Sequence, residues 1–377
     1  MAQRIVIIGG GILGLTCAYR LSEAGHHVVL LEKSEAGSGA SGGNLGQISV
    51  LDRDEDWHIR AVLDTLKEYR EISRNTDIEY EDSGGCVLLT EDEHIRAAEE
   101  KIAFFRKYGI ESEILYGESV RKREPMLDLN SVKGVAFCPT EGKLNPLLTV
   151  TAYLEMARRN GCDVREHAMV TGFLTEKDRV TEVITDRGNF PADVVINAAG
   201  AWAPGISSLL GLSLPIGYHR GTAFVSQPVA KMIRGPVVGG GSILNSFGKT
   251  EDRHIGTALL QTKHGSILLA QATEKSEVDD RDVSVQGLCL VAKKILHHFP
   301  CLRDVEIVRS WAAVTPYDTD GEPSFGFSRK YGNFFTVAGF KGAFSTAPAV
   351  GRHVLAAIEG KGTWNTEFNP DREEKYV

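Results

Sequence analysis

A glycine-rich turn near the start of the chain has the spacing that binds a pyrophosphate. Residues 9–14 read Gly-Gly-Gly-Ile-Leu-Gly and fit the pattern G-x-G-x-x-G. Gly9 allows a tight turn, Gly11 lets the backbone touch a pyrophosphate, and Gly14 lets a helix pack closely on a strand. The helix N-terminus that follows would add N–H donors and a positive dipole. The residues that we expect to bind here are Gly9, Gly11, Ile12, Leu13 and Gly14.

Three elements must position this turn, and the sequence predicts them in order. The β-branched run from Arg4 to Ile8 precedes the glycines and predicts a strand. Apolar residues at helical spacing follow, and Gly25 is placed to end that helix. A second apolar run, His27 to Leu31, predicts the next strand, so the first 32 residues form a βαβ unit.

An acidic residue closes this unit. Glu32 lies 18 residues after Gly14, close to the ~20 at which a carboxylate reaches the ribose 2′-hydroxyl of a dinucleotide. A carboxylate also disfavours a 2′-phosphate, so NADP is disfavoured while NAD and FAD remain. We include the adjacent Lys33 among the expected cofactor contacts.

A second glycine cluster follows at once. Residues 33–49 read KSEAGSGASGGNLGQIS, where a domain that binds only NAD would continue into its next α/β unit. The glycines instead indicate a second close approach of backbone to a large ligand. The expected cofactor contacts in this loop are Ala40, Ser41, Asn44, Leu45, Gly46 and Gln47.

The order of these motifs resembles the D-amino-acid-oxidase-like superfamily of flavoproteins, which includes glycine oxidase, sarcosine oxidase, and D-amino-acid and hydroxyproline dehydrogenases. Three later stretches carry the same resemblance: VVINAAGAW at 194–202, SWAAVTPYDTDGEPSFG at 310–326 and VAGFKGAFSTAPAVG at 337–351. The resemblance implies FAD, which we expect to be non-covalent because the tryptophan-containing strand has no cysteine. It also implies cofactor contacts at Val170, Ala199, Gly200, Trp202, Gly339, Lys341, Gly342, Ala343 and Phe344.

The fold class that follows is α/β, with a Rossmann-like FAD-binding domain and a second, mixed-sheet substrate domain. Both are expected to be discontinuous, with residues 1–51, 145–213 and 310–377 in the FAD-binding domain and residues 52–144 and 214–309 in the substrate domain. Helical spacing predicts helices at 57–73, 91–108 and 147–159. Apolar runs predict strands at 86–89, 164–171, 221–226 and 266–272.

The candidates for substrate chemistry are Lys341, Thr315, Gln47 and Arg220. Amino-acid-oxidising members of the resembled family fix the substrate carboxylate with arginine, and one such arginine commonly precedes the proline of the tryptophan-containing strand. That position is Thr315 here, which offers only a hydroxyl. Lys341, in the turn expected to cover the flavin, is therefore the best cationic candidate. Arg220 could instead form a structural salt bridge at the end of a strand. Gln47 could face the flavin or the substrate.

The expected activity is oxidation of the C–N bond of a small amino or imino acid by hydride transfer to flavin N5. A proline derivative, sarcosine, a D-amino acid and an N-substituted glycine all remain open. One alternative is oxidation of a C–OH bond in a 2-hydroxy acid or glycerol phosphate. Another is a flavin subunit of a larger dehydrogenase complex. The acceptor is oxygen, a quinone or a partner flavoprotein, and both homo- and hetero-oligomers are open.

Composition excludes several other classes. The 377-residue chain has 42 Lys and Arg against 50 Asp and Glu, a net charge of -8, which argues against nucleic-acid binding. The six cysteines lie far apart without a CxxC pair, so neither a metal site nor a redox dithiol is expected. The longest apolar stretch, Ile5 to Ala18, contains four glycines, and we expect no transmembrane segment. We expect a cytoplasmic protein, free or peripheral at the membrane.

Overall fold

The computed structural model describes residues 2–244, 253–362 and 364–372. The α-helices within these ranges are α1 Ile12–Glu23, α2 Asp56–Ser73, α3 Asp92–Phe105, α4 Glu118–Arg123, α5 Pro146–Arg159, α6 Ala203–Ser208, α7 Val285–His298 and α8 Ala347–Ile358. The strands are β1 Arg4–Ile8, β2 His27–Leu31, β3 Gln47–Ile48, β4 Gly85–Leu89, β5 Glu113–Leu115, β6 Gly134–Cys138, β7 Gly142–Lys143, β8 Asp163–Arg165, β9 Val170–Glu176, β10 Arg179–Thr185, β11 Gly188–Pro191, β12 Val194–Asn197, β13 Ile216–Pro228, β14 Val237–Gly239, β15 Arg253–Gln261, β16 Ser266–Lys275, β17 Ile307–Asp318, β18 Ser324–Phe327 and β19 Phe334–Ala338.

The first of two units lies within Met1–Asn44, Pro146–His219 and Val314–Val377. Its main sheet has the order β18-β19-β12-β1-β2-β8 and is parallel except for β18. Helix α1 packs against α5 and α8. Residues 5–8 of β1 are all buried, as expected for the central strand of a parallel sheet that is covered on both faces. The predicted βαβ unit is confirmed.

A second, antiparallel sheet of β9, β10 and β11 belongs to the same unit. The single strand predicted at 164–171 is wrong, because β8 ends at Arg165 and β9 begins at Val170. Between them His167 has a φ of 57°, and the Ala168 N–H donates to the Glu32 carbonyl. The chain therefore leaves one sheet and enters another, a change of partner that strand propensity cannot show.

The second unit comprises Leu45–Asn145 and Arg220–Ala313. An eight-stranded mixed sheet has the order β17-β13-β16-β15-β14-β4-β6-β5. Helix α7 packs on β15 and β16. The core between them includes Leu259, Leu269, Val291 and Phe299. The small pair of β3 and β7 also belongs to this unit.

The predicted helices are confirmed at α2, α3 and α5, although the predicted helix that ends at residue 108 finishes as a 3₁₀ turn over Arg106–Tyr108. The mixed α/β class is likewise confirmed. Among the helices of the described ranges, none is both long and apolar enough to cross a lipid bilayer.

Candidate cofactor and substrate site

The glycine turn lies between the end of β1 and the start of α1. A Cβ atom on Gly14 would overlap the carbonyl oxygen of Gly9, so only glycine allows the helix to start this close to the strand. Gly11 occupies the helix N-cap, and the first turn of α1, which is fully described, has no acidic residue. A Cβ atom on Gly11 would meet Ser41 Oγ at 3.3 Å and no other side chain of the described residues within 4 Å. The helix end therefore has the features of an anion-binding cradle, as the sequence predicts.

Glu32 borders this turn. Its Oε2 accepts a 2.7 Å hydrogen bond from the Gly10 N–H, and its Oε1 accepts a 2.8 Å bond from the Ser34 N–H. The side chain is half-buried. Glu32, which the sequence predicts to contact the ribose, therefore lies beside the predicted pyrophosphate cradle.

The second glycine loop folds back onto the same cradle. The Gly37 N–H donates to the Gly10 carbonyl at 2.9 Å, and Ser41 Oγ accepts from the Ile12 N–H at 3.0 Å. Lys33 Nζ lies 3.5 Å from the ring centre of Trp202, a cation–π contact. Four further predicted residues belong to this neighbourhood by their elements: Leu13 in α1, Ala40 and Asn44 in the loop, and Gly200 beside Trp202. Ala199 lies against Gly9, since a Cβ atom on Gly9 would come within 2.9 Å of its Cα.

A turn after β19 carries the cationic candidate. Gly339 has a φ of 75°, and the short 3₁₀ segment Ala343–Ser345 packs against α1. Phe344 is buried and Lys341 is half-buried. The structure therefore puts Lys341 in the same unit as the glycine cradle, on a turn in contact with the cradle helix. Gly342 and Ala343 lie in this turn as well.

Two other predicted residues of this unit lie on strands. Thr315, in β17, is half-buried and offers only a neutral hydroxyl. Val170 begins β9 and packs against the core cluster that includes Ile8 and Leu31, the last residues of β1 and β2.

Gln47 and its neighbours belong to the second unit. Gln47 pairs with Lys143 between β3 and β7, and the Gly46 carbonyl accepts from the Leu144 N–H at 2.9 Å. Leu45 packs against a small cluster that contains Ala223. The contacts of Gln47 therefore lie within the second unit.

Glu141, which the sequence did not single out, holds the chain that follows Gln47. Its Oε1 accepts hydrogen bonds of 2.7 Å from the N–H groups of both Val50 and Leu51. Burial raises the pKa of this carboxyl to about 7. The only sequence signal was an acid in the loop EGKLNP.

Arg220 is engaged by two acids of the second unit. Its Nη1 donates to both oxygens of Asp280, at 2.6 and 2.7 Å, and its Nη2 donates to Glu274 at 2.7 Å. The hydrogen bond to Glu274 raises the pKa of the Arg220 guanidinium. These contacts match the salt-bridge alternative for Arg220 and compete with a role in substrate binding.

A buried charge cluster beside the Gly339 turn also escaped the sequence analysis. Asp318 has no exposed side-chain surface, and Arg372 Nη2 lies 3.4 Å from its Oδ2. Arg372 also binds Asp320 at 2.7 Å through Nε. The signal was present as two acids in the segment YDTDG, but the partner is more than 50 residues away in sequence.

The parts of the first unit fit the adenosine diphosphate half of a dinucleotide: an open glycine cradle, a helix N-terminus without first-turn acids, and a carboxylate beside them. Among the described residues no group of three or more His, Cys, Asp or Glu is placed to hold a metal ion. The fold and the site together define a dinucleotide-binding α/β protein.

Comparison with known proteins identifies the family within this class. The chain belongs to the FAD dependent oxidoreductase family, whose model matches residues 4–357. FAD is therefore its cofactor, and the resemblance drawn from the sequence is confirmed. When bound, the flavin supplies the hydride acceptor, and the cradle residues of the first unit are the candidates to hold the cofactor.

Three relatives illustrate the family. Glycine oxidase of Geobacillus kaustophilus is 27% identical over 371 residues, covering 95% of this chain and 93% of that protein. Mitochondrial sarcosine dehydrogenase of Mus musculus is 27% identical over 221 residues, covering 56% of this chain but only 24% of the much longer relative. The crystal structure of L-proline dehydrogenase from P. horikoshii superposes with a TM-score of 0.88 at 27% identity, covering 98% of this chain and 97% of that one.

Proposed function

We propose that this enzyme oxidises the C–N bond of a small amino or imino acid and that Lys341 binds the substrate carboxylate. Glycine, sarcosine and L-proline, named in the three relatives, are all small amino acids with a C–N bond next to a carboxylate. The observation that carries the proposal is the place of Lys341, on a turn that packs against the cradle helix.

A desolvated carboxylate needs a positive partner, because an unpaired buried charge is too costly. Lys341 can supply that charge through a flexible four-carbon stem. Thr315, in the same unit as Lys341, can add a neutral hydrogen bond. Arg220 remains the second cationic candidate, although a substrate would have to compete with Glu274 and Asp280 for its guanidinium.

The test is anaerobic bleaching of the FAD-loaded enzyme with glycine, sarcosine, L- and D-proline and D-alanine, with lactate and glycerol 3-phosphate as C–OH controls. We expect at least one amine to bleach the flavin and neither C–OH compound to do so. Bleaching by lactate or glycerol 3-phosphate alone would overturn the proposal in favour of C–OH oxidation. Reoxidation of the bleached enzyme by oxygen, by a quinone or by an added flavoprotein then identifies the acceptor.

A further inference from the structure

The Asp318 carboxylate lies directly against the turn that carries Lys341. Asp318 is the last residue of β17. The next strand, β18, begins at Ser324 and pairs antiparallel with β19, so that Ser324 lies opposite Ala338, the residue before Gly339. A Cβ atom on Gly339 would overlap Asp318 Oδ2. No side chain therefore separates the carboxylate from the backbone at the first residue of the turn.

The Arg372 guanidinium also lies near the Asp318 Oδ2 atom, but it is already paired with another carboxylate. Its Nε and Nη2 donate to the two oxygens of Asp320 at 2.7 and 2.9 Å, while Asp318 receives the longer contact of 3.4 Å. Nη2 also donates to the Glu322 carbonyl at 2.6 Å. Among the described residues, two buried carboxylates thus share one guanidinium.

Burial raises the pKa of Asp318 to about 7, against an ordinary value of 3.8. Among the described residues, the charged and polar groups that act on it are Arg372, Asp320 and the hydroxyl of Ser324. A carboxyl that binds its proton more tightly in the folded protein than in the unfolded chain costs stability once it ionises. Such a locally unfavourable group is typical of a residue retained for function, and this one lies beside the turn proposed to bind the substrate.

We propose that Asp318 is a positioning residue for the Gly339–Phe344 turn. Its carboxylate sets the position of the Gly339 backbone, and Arg372 holds that carboxylate in place. The position of Lys341, two residues further on, depends on this contact. The link to substrate rests on the proposed function, whereas the link between Asp318 and the turn does not.

The pH dependence of the turn follows from this contact. Opening of the turn exposes Asp318 to water, so its pKa falls toward 3.8. Protonation therefore favours the closed turn. The stabilisation of the closed turn by this proton is complete below about pH 4 and is lost as the pH rises toward 7. Above pH 7 the stability of the closed turn changes little.

The test is amide hydrogen exchange in the peptide that spans residues 339–346, measured on the FAD-loaded protein from pH 5 to pH 8. Protection factors correct for the intrinsic pH dependence of exchange. We expect protection in the parent to fall by at least about tenfold between pH 5 and pH 7. Asp318→Asn, which keeps the shape but not the titration, should show no such fall, and Asp318→Ala should lose protection at every pH.

The matched control is Asp193→Asn, which removes an exposed partner of Arg4 in the same unit and should behave as the parent. The same pH response in Asp318→Asn and in the parent would overturn the proposal. So would unchanged protection of the turn in Asp318→Ala. Neither result depends on Lys341, so failure of the substrate assignment would appear separately, as normal turnover by Lys341→Met.

Discussion

The Glu32 carboxylate accepts a 2.7 Å hydrogen bond from the backbone N–H of Gly10. This bond joins the end of β2 to the middle of the glycine turn, and the second carboxylate oxygen binds the Ser34 N–H. The acid therefore shapes the glycine turn, whereas its predicted contact with the ribose is a separate role that mutation can test.

Glu32→Ala should weaken FAD binding by roughly 1–3 kcal/mol, the usual cost of losing a hydrogen bond to a charged group. Glu32→Gln keeps one acceptor oxygen for Gly10 and should lose less. Titration of apoprotein with FAD measures both, and Glu35→Ala, an exposed acid in the same loop, is the control. Equal affinity in Glu32→Ala and the parent would remove Glu32 from the cofactor site.

Lys341→Met should keep FAD bound but lose ~2–4 kcal/mol in kcat/KM, because the substrate carboxylate would be desolvated without a cation. Lys341→Arg should recover part of the loss, and Thr315→Ala should cost less than Lys341→Met. Lys361→Met, at an exposed site in the same unit, provides the control. If Lys341→Met reduces its flavin as fast as the parent at low substrate concentration, another residue binds the substrate carboxylate. Arg220 would then be the next residue to test.

Arg220→Met should lower the free energy of unfolding by about 2–3 kcal/mol, because it leaves the nearly buried Glu274 with one fewer cation. Arg60→Met removes an exposed ion pair with Asp56 in the same unit and should cost less than about 1 kcal/mol. Urea unfolding compares the two variants. A stable Arg220→Met protein with a large rise in KM would instead show that Arg220 serves the substrate.

Glu141→Gln should flatten the pH dependence of stability. The folded-state pKa of Glu141 is raised by burial to about 7 from an ordinary 4.5, so its contribution is present at low pH and is lost as the pH rises toward 7. Between pH 5 and pH 8 the free energy of unfolding of the parent should fall by about 2–3 kcal/mol more than that of the variant. Urea unfolding at the two pH values measures this difference; equal losses would contradict it. Asp318 titrates in both proteins and cancels in the comparison.

Local patterns were enough to predict the βαβ unit at the start of the chain. The strand, glycine turn, helix, second strand and Glu32 follow one another within 32 residues, so short-range sterics and hydrophobic periodicity define them without distant partners. The single strand predicted at 164–171 failed for the opposite reason, since its two halves pair with different sheets.

The sequence by itself determined the βαβ unit with its glycine turn, because these depend on residues that are neighbours along the chain. It also indicated the flavoprotein class, through the order of motifs found between residues 9 and 351. Only the tertiary structure decided the partners of the buried charges. Arg220 meets acids 54 and 60 residues away, and Arg372 lies 52 residues beyond Asp320. Whether a charged side chain is paired, buried or available to a ligand depends on which distant segments surround it, and no local spacing encodes that environment.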